Sequence, residues 1–214
     1  LIVDSGKSLT LQDVKFEKFA TGEVNATTNP SADRAYDGDY QGIITNYGTL
    51  DITNSYFTVD PSDGNTKKIA IANYGTLNSD PTTYEGAIEN YRGATATITG
   101  DTFQNIDRSS ITSANGGAIY NEAAEGSSPA GTLTLNKVTA TGDKAANGGV
   151  LYNAGNATIN GGTYSGNSAT ALGGAIYSNT NLTVNANATN GAVSFSNNKH
   201  QTATTEALND IYMA

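Results

Sequence analysis

Few side chains in this sequence are of a type and spacing that could do chemistry. The densest acidic group is Asp33, Asp37 and Asp39 beside Arg34, and Asp60-Pro61-Ser62-Asp63-Gly64-Asn65 makes a second acidic turn. Paired carboxylates at a fixed separation can cleave glycosidic bonds, one donating a proton while the other activates water or attacks. Both stretches lie in segments that read as insertions, and neither completes a calcium-loop spacing, so solvated loop carboxylates are the expectation, with weak calcium binding as the alternative. His200 is the sole histidine and has no Ser or Cys partner in a recognisable motif, which argues against a nucleophilic triad. Absence of Cys removes disulfides and most zinc sites. The expectation is a non-catalytic protein with no metal and no cofactor.

Composition points to an unusual scaffold. The 214 residues include 24 Gly and no Trp, and apolar residues make up only 37%, below the roughly 45–50% of globular domains, a figure that counts Gly as apolar. An ordinary compact core is hard to build from so few. Disorder is disfavoured, because Pro numbers only 4 and the apolar residues recur in register. A net charge of −9 without clustered Lys or Arg argues against nucleic-acid binding. No run approaches the roughly 20 apolar residues of a membrane helix, and Leu1-Ile2-Val3-Asp4 lacks the pattern of a signal peptide, so no membrane insertion is expected of this segment.

The elements that would position any functional residue emerge from internal repeats. One module reads apolar, x, apolar, then an aromatic five residues on: Leu9-x-Leu11 with Phe16, Leu50-x-Ile52 with Phe57, Ala96-x-Ile98 with Phe103, Ala157-x-Ile159 with Tyr164. Leu77 with Tyr84, Leu133 with Ala140 and Leu182 with Phe195 are degenerate copies. A second module precedes each: Gly42-Ile43-Ile44-Thr45-Asn46, Gly86-Ala87-Ile88-Glu89-Asn90, Gly117-Ala118-Ile119-Tyr120-Asn121, Gly149-Val150-Leu151-Tyr152-Asn153 and Gly174-Ala175-Ile176-Tyr177-Ser178. Ile71-Ala72-Asn73 is a short form, and Ile2-Val3-Asp4 fits the same phase. Within modules the alternation has period 2, the mark of strands with one buried face.

These features predict an all-β fold, a right-handed parallel β-helix (solenoid) of about seven three-strand rungs in which each strand pairs with its equivalents above and below. Residues 1–214 form one domain, with loop insertions near 21–40 and 122–130 and a possible capping loop at 199–209. Asn46, Asn73, Asn90, Asn121 and Asn153 are expected to stack as a structural amide ladder at one turn, with a weak point at Ser178, because a buried amide is costly unless paired. Tyr120, Tyr152 and Tyr177 share one outward strand position and form a candidate exposed binding row; Tyr47, Tyr74 and Tyr91 line an adjacent turn. Thr49, Thr76, Thr95, Thr132 and Thr158 are read as a second outward row, with Thr97 and Thr134 alongside.

The residues carrying the clearest family likeness are Gly116-Gly117-Ala118-Ile119, Gly173-Gly174-Ala175-Ile176 and the near match Gly148-Gly149-Val150-Leu151, with Phe195-Ser196-Asn197-Asn198 and Tyr164-Ser165-Gly166-Asn167. In phase, they resemble the GGA[I/L/V] and Phe-x-x-Asn repeats of polymorphic membrane proteins, autotransporter passenger domains; the likeness is clear from about Gly86 to Ala214 and fainter before it. It implies a secreted or outer-surface bacterial β-helix with an adhesive role toward a protein or glycan of a host or neighbouring cell. Without the C-terminal membrane barrel of such proteins, the chain would be a fragment or a processed passenger. Three alternatives differ in class: a surface filament subunit assembling head to tail, an ice-binding face built on the Thr row, and a polysaccharide-active β-helix.

Overall fold

The computed structural model describes residues 1–19, 42–60, 68–111, 114–186, 189, 191–201 and 206–214. The expected insertion at 21–40, with Asp33, Arg34, Asp37 and Asp39, lies outside them, as do Asp63, Gly64 and Asn65. Among the described residues every regular element is a β-strand.

Chain segments far apart in sequence stack in parallel. The first sheet takes one short strand from each repeat: Ile2–Val3, Ile44–Asn46, Ile69–Asn73, Ala87–Asn90, Ile119–Asn121, Leu151–Asn153, Ile176–Ser178 and Ile211–Met213. Its register aligns Ile44, Ile71, Ile88, Ile119, Leu151, Ile176 and Ile211 in one column. The second sheet aligns Leu9, Leu50, Leu77, Ala96, Leu133, Ala157 and Leu182. Its far half aligns Phe16, Phe57, Tyr84, Phe103, Ala140, Tyr164 and Phe195. Sequence periodicity reached this register because one inward residue out of two is confined, and a slip of one would expose the whole apolar set.

The core is correspondingly narrow. Leu50, Leu77, Ala96 and Ile98 are fully buried, as are Phe57, Tyr84 and Phe103. Rings at the aromatic position lie nearly parallel, with centroids 5.0 Å apart for Phe16–Phe57, 5.3 Å for Phe57–Tyr84 and 5.1 Å for Tyr84–Phe103. The paired glycines answer to the same tight stacking. Gly148 has φ +63°, a conformation that favours glycine, and a Cβ on Gly149 would fall on the carbonyl oxygen of Gly174 in the next repeat.

Three details differ from the sequence expectation. Later repeats carry a fourth strand, because Lys144–Asn147, Ser168–Leu172 and Lys199–Gln201 form a third sheet, joined by antiparallel Glu206–Leu208. Earlier, Tyr84 and Ala87 are separated only by Glu85 and Gly86, leaving no room for such a strand. At the start of the chain, Ile2 and Val3 pair with Thr45 and Asn46, one residue out of the expected phase, so Asp4 does not join the Asn column. Thr132 pairs with Asn156, which moves Thr158 beside Thr134 into the neighbouring column.

Residues 122–130 form a tight excursion. Glu125 and Ser128 exchange backbone hydrogen bonds of 3.1 and 3.0 Å, and Gly131 N–H donates to Glu122 O at 2.9 Å, closing the loop. The Arg92 guanidinium clamps it through Glu122, at 2.6 Å, and Glu125.

Candidate functional site

The five asparagines at the end of the first-sheet strands are completely buried. Each side-chain amide donates to the next amide oxygen: Asn46 to Asn73 and Asn73 to Asn90 at 2.8 Å, Asn90 to Asn121 and Asn121 to Asn153 at 2.9 Å. The second amide hydrogen reaches a backbone carbonyl, as Asn46 does to Thr76 at 2.9 Å, while the oxygen of Asn46 accepts from the Gly48 N–H at 3.1 Å. Ser178 is no gap in this ladder. Its hydroxyl accepts from Asn153 at 2.9 Å and donates to Thr180 O at 3.0 Å, with Thr180 Oγ1 taking a further bond from Asn153 at 3.1 Å. A hydroxyl with two lone pairs and one hydrogen can end an amide chain.

A second buried ladder occupies the Phe-x-x-Asn phase. Asn167 Nδ2 donates to Asn198 Oδ1 at 2.9 Å, Asn198 Nδ2 to Asp210 Oδ1 at 2.8 Å, and the Asp143 N–H to Asn167 Oδ1 at 2.9 Å. Asp143, three residues after Ala140, stands where Asn167 and Asn198 stand in later repeats. Its Oδ1 accepts the Ile106 N–H at 3.0 Å, and Oδ2 is buried without a partner among the described residues. Burial lifts its carboxyl to about 8. Asp101, whose Oδ1 accepts the Thr82 N–H at 2.8 Å, is lifted to about 7, again chiefly by burial. Neither acid stands out from the sequence alone, although Asp143 lies in the motif phase.

Tyr120, Tyr152 and Tyr177 pair in register on the outer face of the first sheet, and Tyr212 extends the row by one more repeat. Centroids are 5.6, 4.9 and 5.7 Å apart, with interplanar angles of 15°, 6° and 12°. Each inner ring is covered on both faces by its neighbours, so the row is half-buried instead of fully exposed. What faces outward is a file of ring edges and phenol hydroxyls. Tyr120 is pushed up to about 12 by burial first, then by the Glu122 and Glu89 charges.

Glu89 occupies the position next to Tyr120 in the column. Its carboxylate accepts from Tyr91 Oη at 2.5 Å and pairs with Arg108, which is fully buried and also donates to Gly116 O at 2.8 Å. The pair fixes the segment carrying Arg108 against the foot of the Tyr row. Tyr91 stacks on Tyr74 at 4.2 Å and Tyr74 on Tyr47 at 5.0 Å, the second aromatic file expected from the sequence. Nothing in the sequence pattern foretold the Arg108 contact, because it joins a non-repeating segment to a face that only folding assembles.

On the outer face of the second sheet, Thr49, Thr76, Thr95 and Thr132 form one column and Thr97, Thr134, Thr158 and Thr183 the next. Beside them Asn185 donates to Asn160, and Asn160 to Asn136, both at 2.9 Å. No group of three or more His, Asp or Glu that could hold a metal occurs among the described residues. Searches against protein-family models, curated proteins and solved structures find no match to this chain.

Proposed function

We propose that the chain is a right-handed parallel β-helix from an exported bacterial surface protein, an autotransporter-like passenger that adheres through a repetitive face and performs no catalysis. The observation that carries this reading is the outward Tyr120–Tyr152–Tyr177–Tyr212 row, repeated in register on a scaffold whose aligned inward positions are filled mostly by apolar side chains. Tyr offers large contact area at small entropic cost. With ring faces stacked on one another, the edges and hydroxyls favour a protein partner on a host or neighbouring cell over a sugar, which prefers an open ring face. Display of the parent and of a Y120A/Y152A/Y177A variant on a non-adherent cell tests this. Adhesion to a panel of host and bacterial cells should be lost in the variant while its far-UV circular dichroism stays that of the parent; equal adhesion by both would refute the assignment.

A second reading draws on the unbroken Thr97–Thr134–Thr158–Thr183 column. Such a flat hydroxyl array is suited to ordering water as an ice-binding face. Thermal hysteresis at micromolar protein would support it, and none would dispose of it.

A further inference from the structure

Asp143 occupies an asparagine's place. It follows Ala140 as Asn167 follows Tyr164 and Asn198 follows Phe195, so the three side chains share one corner of consecutive repeats. All three use Oδ1 alike, each accepting a backbone N–H from the repeat before: Ile106 to Asp143 at 3.0 Å, Asp143 to Asn167 at 2.9 Å, Asn167 to Asn198 at 3.1 Å.

The second atom of the side chain tells them apart. Asn167 Nδ2 donates to the Ala140 carbonyl at 3.2 Å and Asn198 Nδ2 to the Tyr164 carbonyl at 2.9 Å, in each case the aromatic position one repeat back. Register makes Phe103 the equivalent position for Asp143. Asp143 is fully buried, yet its Oδ2 has no hydrogen-bond partner among the described residues. An ionised carboxylate cannot donate to a carbonyl, whereas a protonated one has a single O–H that can.

Charged groups on the elements around this corner are engaged elsewhere. Lys144 lies 3.7 Å from Asp107, both half exposed; Lys68 donates to the Asp107 carbonyl at 2.7 Å; Arg108 pairs with Glu89. Glu85 accepts from Gln104 at 2.8 Å, Asp210 accepts from Asn198 at 2.8 Å, and the Tyr164 phenol is raised by burial. Residues 156–172, packed on the other side, include no acid and no base.

We infer that Asp143 is a neutral acid whose Oδ2–H bonds the Phe103 carbonyl, and that its ionisation unlatches residues 105–109 from the corner. The segment is stitched there by three bonds: Ile106 N–H to Asp143 Oδ1, Lys144 N–H to the Ile106 carbonyl at 2.8 Å, and Arg108 N–H to the Lys144 carbonyl at 2.9 Å. Once the proton is lost, a buried charge faces a carbonyl, and only opening the corner returns it to water. Burial sets the carboxyl at about 8 against an ordinary 3.8, with the Ile106 N–H pulling the other way. The folded value is raised, so the latch is at full strength below about pH 4, loosens about tenfold per pH unit above that, and levels off above about pH 8. This device stands whether or not the tyrosine row binds a partner.

Hydrogen exchange of the whole 214-residue chain, followed by NMR and corrected for the intrinsic pH dependence, tests it together with a ¹³C titration of the Asp143 carboxyl. Protection at the Ile106, Arg108 and Lys144 amides should fall about tenfold per pH unit between pH 5 and 7 and flatten above about pH 8. In D143N, which installs the residue of the two later repeats, that fall should vanish; in D101N it should persist. Low urea should leave these amides unaffected, as for a local opening, while it speeds exchange at Ala154, whose N–H donates to the Asn121 carbonyl. The carboxyl itself should titrate near pH 8. The proposal is overturned if the carboxyl titrates near pH 4, if D143N keeps the parent's slope, or if the three amides respond to urea as Ala154 does.

Discussion

Removing one rung of the buried amide ladder should cost far more than a surface change, and Asn121 is the place to do it. Its amide donates to Asn153 Oδ1 at 2.9 Å and to the Gly131 and Asn156 carbonyls at 3.2 Å each, while its oxygen accepts from Asn90 at 2.9 Å. Asn121→Ala deletes these four bonds, each worth about 0.5 kcal/mol net because three of them share two amide hydrogens, and strands the Asn153 oxygen, a buried polar group whose desolvation costs about 1–3 kcal/mol. Asn90 keeps its bond to Thr132 O at 3.2 Å, which limits the loss on that side. The expected destabilisation is about 3–5 kcal/mol, or a fall in Tm of about 10 °C for a chain of this length. Urea unfolding followed by circular dichroism reads the loss. The double variant N90A/N121A should cost less than the sum of the singles by about 1 kcal/mol or more, because both act on one shared bond. A loss below about 1 kcal/mol for N121A, or strict additivity in the cycle, would refute the ladder energetics.

Other perturbations follow from the same geometry. Asp143 and Asp101 are raised to about 8 and about 7 from an ordinary 3.8, so the folded chain holds their protons longer than the unfolded chain. The contribution of these two acids to stability should be greatest below about pH 4, fall by about 1.4 kcal/mol per pH unit for each acid as pH rises, and level off above about pH 8. Asp143→Asn, which installs the residue found at the equivalent Asn167, should flatten that decline in a pH series of thermal melts; an unchanged profile would count against it. Gly149→Ala places a methyl group on the Gly174 carbonyl and should prevent folding or cost more than about 3 kcal/mol, whereas Gly93→Ala, at φ +78° with open space around it, should cost about 1–2 kcal/mol; urea midpoints compare them. Arg108→Ala strands the buried Glu89 carboxylate and should cost about 3–5 kcal/mol, with hydrogen exchange rising first in residues 105–116.

Much of the stacking was legible because the inward positions are under the strictest constraint. Ile44, Ile71 and Ile88, or Leu50 and Leu77, can occupy only one kind of place, so their spacing survives loops of different length between them. Outward positions carry no such constraint. By residue type Thr158 matches Thr132, while the strand in fact begins at Asn156, a polar residue that solvent accepts equally well. Ile2-Val3-Asp4 matched the pattern in residue type and missed by one place, since a two-residue strand holds too little alternation to fix phase. The tyrosine column was visible as a repeat, but that its rings would cover one another follows from the rise between strands. Arg108 with Glu89 needed the fold to bring a non-repeating segment onto the repeat.

The central physical claim is that residues one repeat apart are neighbours through their backbones, whatever the length of chain between them. The outward column Thr10, Asp51, Asn78, Thr97, Thr134, Thr158, Thr183 allows a direct measurement, because the chain contains no native Cys. Spin labels at Thr10 and Thr134, and at Thr10 and Thr183, should give pulsed electron-paramagnetic-resonance distances near 19 and 29 Å, four and six strand spacings of about 4.8 Å. Narrow distributions that grow with repeat number would bear this out; broad ones, or a Thr10–Thr183 distance no longer than Thr10–Thr134, would contradict it.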